Sequence, residues 1–209
     1  MKIYSPLFVA IRVVIYSLLM VGIAEGIFFD AGHPRGESYF GEVTFVEIGQ
    51  EIVLFILFVF YLLLGYKRRE IQPVSNIISL FLLISFFREF NFLALDWSYP
   101  ALLALLVVIW LLIRDFKKIK TATIRFFSVP ASNWLISGFL TTYIFSRLMG
   151  RSKFWRLMYS EENYRLAKAA TEESIELLGD TLMLIGAIEL FIYYKTLEKT
   201  EREGQVTDS

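Results

Sequence analysis

The sequence contains no cysteine and a single histidine, His33. The absence of thiolates and of sets of imidazoles excludes disulfide frameworks, thiol catalysis, iron–sulfur clusters and the usual zinc sites. A haem held by two histidines of this chain is excluded as well. A metal site built from the remaining ligands would use oxygen atoms, which favours calcium, magnesium or manganese over softer metals.

An excess of charge of either sign is also missing, because 21 basic residues balance 21 acidic ones. This argues against a nucleic-acid partner. Hydrophobic residues instead make up 56% of the 209 residues, and the mean hydropathy is +0.55. This exceeds what a single soluble core requires. We therefore predict an all-α, polytopic membrane helical bundle, with one transmembrane domain over residues 1–200 and a short polar tail over 201–209.

Six apolar stretches approach the length of about 20 residues that a helix needs to cross a bilayer. They cover residues 6–29, 43–65, 74–95, 99–113, 127–149 and 171–194. The fifth is the most polar, so we expect it to pack among other helices. Only two glycines interrupt the helical pattern between Ser160 and Glu203, which predicts one long helix that includes the sixth stretch.

Basic residues give the orientation of these predicted spans. They concentrate at 67–69, at 114–125 and after residue 194. The positive-inside rule makes those segments and both termini cytoplasmic, as expected for a multi-pass protein of the bacterial cytoplasmic membrane. Segment 114–127 is predicted to be an interfacial helix on anionic lipid. Segment 147–168 is predicted to be an outer amphipathic helix; were it cytoplasmic, the fifth span would be re-entrant.

Ionisable residues inside spanning segments are costly, so each is a candidate functional residue. The predicted orientation brings acids of the second, third and sixth spans to one level near the outer surface. The candidate cation-binding or proton-handling residues are Glu47, Glu51, Glu89, Asn91, Asp96, Glu172, Glu173, Glu176 and Asp180. Arg88 is the predicted charge-balancing cation.

Carboxylates packed together at low dielectric cannot all ionise, so either some hold protons or a cation occupies the cluster. Calcium, magnesium, manganese and the proton all remain open. Structural interpretations remain open too: Glu47, Glu172 and Glu173 fit the positive ends of helices, and Arg88 with Glu89 fits a structural ion pair.

Glu189 lies in the inner half of the sixth span, away from the other acids of that span. We expect it to pair with Arg12 or with a serine of the fifth span, or to mark an onward path. Gly22 and Gly26 form a GxxxG pair, which is more typical of close helix packing within the fold than of dimerisation.

Three functions fit these features. The first is an outward-facing acidic cluster that binds or conducts protons or divalent cations. The second is a non-catalytic structural or assembly subunit whose polar layer binds partner helices. The third is an intramembrane lipid-processing enzyme, which ranks last because no DDxxD pair, HExxH helix or nucleophile elbow is present. The expected partners are membrane lipids and either copies of this chain or other membrane subunits.

Overall fold

The computed structural model describes residues 5–33, 44–89, 98–160 and 163–207. The described residues form nine α-helices, one π-helical segment and turns, with no β-strand. The elements are α1 (Pro6–Gly32), α2 (Phe45–Lys67), α3 (Gln72–Glu89), α4 (Ser98–Arg114), α5 (Phe116–Phe127), α6 (Ser132–Phe139), the π segment (Leu140–Phe145), α7 (Ser146–Met149), α8 (Ser152–Trp155) and α9 (Tyr164–Thr207). The predicted all-α class is confirmed.

Two of the described helices, α1 and α2, are long and apolar enough to cross a membrane. A third candidate span exists if α4 and α5 are taken together, although the chain bends by 99° between them. The apolar helix α3 is shorter, and the fifth predicted span consists of α6, the π segment and α7 in succession. Length and composition within the described residues thus support two or three spans, while six remain a prediction.

Side-chain contacts fix the directions of the helices. Gln50 near the start of α2 contacts Glu173 near the start of α9, and Arg68 just after α2 pairs with Glu198 far along α9. These two helices therefore run in the same direction. Helix α3 runs opposite to α2, because successive serines of α3 bond to successively earlier carbonyls of α2.

The core lies where α2, α3, α5, α6 and α9 meet. Its most completely buried large side chains include Leu57, Tyr61, Leu82, Phe126 and Leu190. By contrast, α1 and α4 leave most of their large apolar side chains exposed. An exposed apolar helix is stable in lipid and costly in water, so these two surfaces suit a bilayer.

Helix α5 has the predicted amphipathic pattern, but the protein covers much of its apolar face. Ile119 and Phe126 are buried against the core, whereas Phe116 remains exposed beside the lysines. An interfacial position of this helix on anionic lipid stays a prediction, in which Phe116 and the lysines are the side chains left exposed. An amphipathic pattern identifies which face of a helix is covered, and it does not identify what covers it.

The predicted amphipathic helix over 147–168 is also replaced by shorter elements. The segment contains the end of α7, the four-residue helix α8 and the start of α9. Trp155 is buried, and its indole N–H donates to the carbonyl of Met149, which folds the chain back on itself. Helix α9 begins at Tyr164, whose N–H donates to the carbonyl of Ser160. It continues to Thr207, through most of the polar tail.

The start of α2 is fastened to the end of α1 by a buried carboxylate. Asp30 accepts hydrogen bonds from the N–H groups of Phe45 (3.0 Å) and Val46 (2.9 Å). Thr44 adds a third acceptor for the same helix end, at 3.3 Å from the nitrogen of Glu47. These bonds satisfy donors that a helix N-terminus leaves unpaired, and the carboxylate also matches the positive end of the helix dipole.

Glycine sets the distance between α6 and α9. A β-carbon at Gly138 would lie 2.4 Å from the carbonyl oxygen of Gly179. We expect Gly138→Ala to lower the free energy of unfolding by about 1–3 kcal/mol, because the two backbones would have to separate. Thermal unfolding in detergent measures the change.

Gly22→Ala is the matched control for this substitution. A β-carbon at Gly22 meets nothing within 4 Å, so alanine should be neutral or stabilise α1 by up to about 1 kcal/mol through its higher helix propensity. Equal effects at both glycines would contradict the close contact.

Asp115 lies at the bend between α4 and α5 and binds cations of both helices. Arg114 approaches its Oδ2 at 2.5 Å, and the Lys118 ammonium lies 3.2 Å from its Oδ1. Hydrogen bonds from Arg114 and then Lys118 hold the pKa of Asp115 below its ordinary value. The contribution of these ion pairs is thus present at neutral pH and is lost as the pH falls through the lowered pKa.

Carboxyl carbon NMR on labelled aspartate tests this. The titration midpoint of Asp115 should lie below that of an exposed aspartate, and Lys118→Gln should raise it. Lys120→Gln removes the same charge two residues further along the helix and should leave the midpoint unchanged. A midpoint insensitive to Lys118 would contradict the contact.

Candidate functional site

Helix α9 carries three acids at four-residue spacing, namely Glu172, Glu176 and Asp180. Residues four apart on an α-helix are about 40° apart around its axis, so the three side chains form one stripe. The stripe leads from partial exposure at Glu172 to deep burial, with Glu176 3% exposed and Asp180 2% exposed. Deep burial of charged side chains requires partners.

Two hydroxyls from the facing helix supply part of this compensation. Thr142 donates to Oδ1 of Asp180 at 3.0 Å, and Ser146 donates to Oε1 of Glu176 at 3.1 Å. Thr142 lies in the π segment, a rare helical form that is frequent at functional sites. Two hydroxyls four residues apart thus meet two acids four residues apart on an antiparallel helix.

Two arginines supply the charge. The guanidinium of Arg147 contacts both Glu172 and Glu176, at 2.8 Å in each case. Arg88, the predicted charge-balancing residue, lies 3.5 Å from the other oxygen of Glu176. Lys168 completes the outer end at 3.1 Å from Glu172. We call Glu172, Glu176, Asp180, Arg88, Arg147 and Lys168 the α9 network.

Helix α2 reaches the same level through Gln50, which is buried. Its amide donates to the backbone carbonyl of Glu173 at 3.0 Å and to the Glu173 carboxylate at 3.3 Å. Glu47 and Glu51 flank this residue on α2 and are half-buried. The predicted acids of the second and sixth spans therefore lie at one end of the bundle, on two neighbouring helices.

The contacts of three predicted site residues are not described by the structure. Asn91 and Asp96 lie outside the described residues, and Glu89 is the last residue of α3, with a side chain that is not described. Within the described part of the chain, no group of three histidine, aspartate or glutamate side chains could hold a metal ion. Within the α9 network, Glu172 and Glu176 pair with guanidinium and ammonium groups, and Asp180 accepts a hydrogen bond from Thr142.

Glu189 forms a second polar contact further along α9. It pairs with Arg12, one of the two partners predicted for it, and it also accepts a hydrogen bond from Tyr16 at 2.6 Å. It lies nine residues after Asp180, which is about 13 Å along a helix axis. That distance is too long for direct transfer of a proton between the two carboxyl groups.

Some site residues were not recognised from the sequence. The hydroxyls of Thr142 and Ser146 belong to the polar fifth stretch, whose composition predicted internal packing without identifying the residues that turn toward α9. Tyr16 gave no signal, because a single uncharged tyrosine in the middle of an apolar stretch does not stand out from its apolar neighbours.

The α9 network should respond asymmetrically to loss of its two central charges. Glu176→Gln takes a carboxylate from two arginines, but Arg147 is 46% exposed and keeps Glu172, and Arg88 is 30% exposed and can reach water. The substitution should therefore cost less than about 1 kcal/mol. Arg147→Gln deprives a buried carboxylate of its closest cation and should cost about 2 kcal/mol or more, because the charge cannot reach water.

Chemical unfolding in detergent compares the two variants, and the double variant should cost less than their sum. Lys153→Gln, which removes an exposed cation from the neighbouring segment, serves as the control. Equal losses, or a larger loss for Glu176→Gln, would contradict the asymmetry.

Comparison with protein-family models, with curated proteins and with solved structures finds no match to this chain.

Proposed function

We propose that the chain is a multi-pass membrane protein with six crossings, both termini in the cytoplasm, and a proton-handling site formed by Glu176 and Asp180. The helix directions support the crossings: α2 and α9 are parallel, α3 is antiparallel to α2, and α6 with α7 is antiparallel to α9. Alternation of this kind is expected when successive segments cross the same bilayer. On this placement, α5 follows the cytoplasmic surface.

The observation that carries the proton-handling proposal is the environment of Asp180. Its carboxyl group is buried and accepts a hydrogen bond from a threonine hydroxyl. A hydroxyl can donate to a carboxylate and can equally accept from a protonated carboxyl group, so this contact survives a change of protonation state. The Ser146 hydroxyl also lies within hydrogen-bond distance of Glu176, and its single proton has the carbonyl of Thr142 as a second acceptor.

The arginines give the site a means of responding to a proton. Arg147 contacts Glu172 and Glu176 at once, so neutralising Glu176 would leave the guanidinium paired with Glu172 alone. Glu172, the partly exposed acid of the stripe, provides a carboxylate between the outer side and the buried acids. Uptake from the outer side would then proceed along the stripe toward Asp180.

The alternatives are less well supported by these contacts. A subunit that binds partner helices through its polar layer would need polar side chains turned outward. Glu176 and Asp180 instead face helices of their own chain. A lipid-processing enzyme would need paired carboxylates open to the bilayer, and this pair is buried. A divalent cation would have to displace the guanidinium groups.

Infrared difference spectroscopy on the reconstituted protein tests the proposal. As the external pH is lowered, a carbonyl band of a protonated, buried carboxyl group should appear, and Asp180→Asn should remove or shift it. Glu201→Gln, which neutralises an exposed acid on the same helix, should leave the band unchanged. The absence of such a band, or its persistence in both Asp180→Asn and Glu176→Gln, would refute proton binding by this pair.

A further inference from the structure

A groove between α2 and α9, at the end opposite to the α9 network, combines an apolar wall with a cationic rim. It encloses about 130 Å³. The apolar residues are Phe60, Leu63, Leu64 and Phe191. The rim consists of Lys67, Arg68, Lys195, Tyr194 and Glu198. We call these residues the α2–α9 groove.

The rim carries three cations against one carboxylate. Arg68 is held in place, because its guanidinium contacts Glu198 at 3.1 Å and the carbonyl of Tyr194 at 3.1 Å. The carboxylate is thus largely engaged by the arginine, and Lys195 approaches it only at 3.7 Å. Lys67 is exposed and makes no ion pair with any residue that the structure describes. Among the lining residues cations exceed carboxylates by two, and the Glu70 carboxylate, outside the lining, also acts on Tyr194. The net positive charge of the lining complements an anion.

The depth of the rim matches a membrane boundary. Helix α2 has 23 residues and ends at Lys67, and at 1.5 Å per residue it is about 34 Å long, enough to cross the hydrocarbon core. Lys67 then lies at the headgroup level. The apolar wall begins one turn earlier, and Leu63 and Phe191 are 53% and 51% exposed, as expected of side chains that face acyl chains.

We propose that the α2–α9 groove binds one anionic phospholipid, whose phosphate lies at Lys67, Arg68 and Lys195 and whose acyl chain lies against the apolar wall. The Lys195 ammonium lies over the ring of Phe191 in the apolar wall, 5.8 Å from the centroid, and 3.7 Å from Glu198. Basic pockets between transmembrane helices on the cytoplasmic side are a general means of binding anionic headgroups. The inference requires α2 to cross the membrane and is independent of proton binding.

Native mass spectrometry of the full chain in mild detergent tests this. The protein is incubated with phosphatidylglycerol or with phosphatidylcholine carrying the same acyl chains. We expect one phosphatidylglycerol to be retained preferentially. Lys67→Gln and Lys195→Gln should each weaken its binding about fivefold, and the double variant about 25-fold, because a basic residue near an anionic headgroup contributes about 1 kcal/mol.

Lys199→Gln is the matched control. It removes the same charge one turn further along α9, from a side chain that pairs with Glu203 and is not part of the groove. Its phosphatidylglycerol binding should equal that of the unmodified protein, and unfolding temperatures should confirm that all variants are folded. Water-soluble glycerol phosphate should not displace the lipid, because it lacks the acyl chain.

Equal retention of the two lipids would overturn the proposal, as would unchanged binding in the double variant. Displacement by glycerol phosphate would assign the rim to a soluble phosphate compound instead of a lipid. Because none of these measurements reports on Asp180, a negative result would leave the infrared test of the proton site unaffected.

Discussion

The contact between the backbones of Gly138 and Gly179 determines the geometry of the candidate site. With a side chain at either position, α6 and α9 could not approach closely enough for Thr142 to reach Asp180. In lipid, apolar surfaces gain little by leaving the solvent, so close packing and internal hydrogen bonds account for most helix association. The glycine contact provides the packing, and the hydroxyl–carboxylate pairs next to it provide the hydrogen bonds.

Charge compensation explains why the acids on α9 can lie inside the bundle. The sequence alone suggests an excess of carboxylates that a cation must neutralise. The structure supplies guanidinium groups from two other parts of the chain, Arg88 on α3 and Arg147 on α7. Protonation can still shift the balance of this network, because the hydroxyls of Thr142 and Ser146 can pair with Asp180 and Glu176 in either protonation state. A divalent ion would have to displace the arginines, whereas a proton would not, and this is why we propose the proton.

The features that could be predicted from the sequence are those that depend on one helix at a time. The ends of α1 and α2 follow from apolar length and fall within three residues of the predicted bounds. The stripe formed by Glu172, Glu176 and Asp180 follows from four-residue spacing. The pairing of Glu189 with Arg12 could be anticipated because both lie near the same predicted level.

Features that depend on how two helices are rotated against each other were not predictable in this way. Nothing local distinguishes Thr142 from the neighbouring hydroxyl residues, and the π segment that carries it has no signature in apolar periodicity. The segment after α7 was predicted to be one amphipathic helix, because basic and aromatic residues alternate there. In the structure this segment turns instead, and buried Trp155 donates a hydrogen bond back to the carbonyl of Met149.

The way in which α1 is attached has a mechanical consequence. Near its first turns it is held by the pairing of Arg12 with Glu189, and at its last turn by the two hydrogen bonds that Asp30 accepts. These attachments are 18 residues apart, about 27 Å along the axis, and the surface between them is largely exposed. Loss of one attachment would leave the other in place, so α1 would stay joined to the bundle at one end. The two ends of α1 can therefore be released separately. The carboxylate that binds Arg12 belongs to Glu189 on α9, the helix that also carries the acidic stripe.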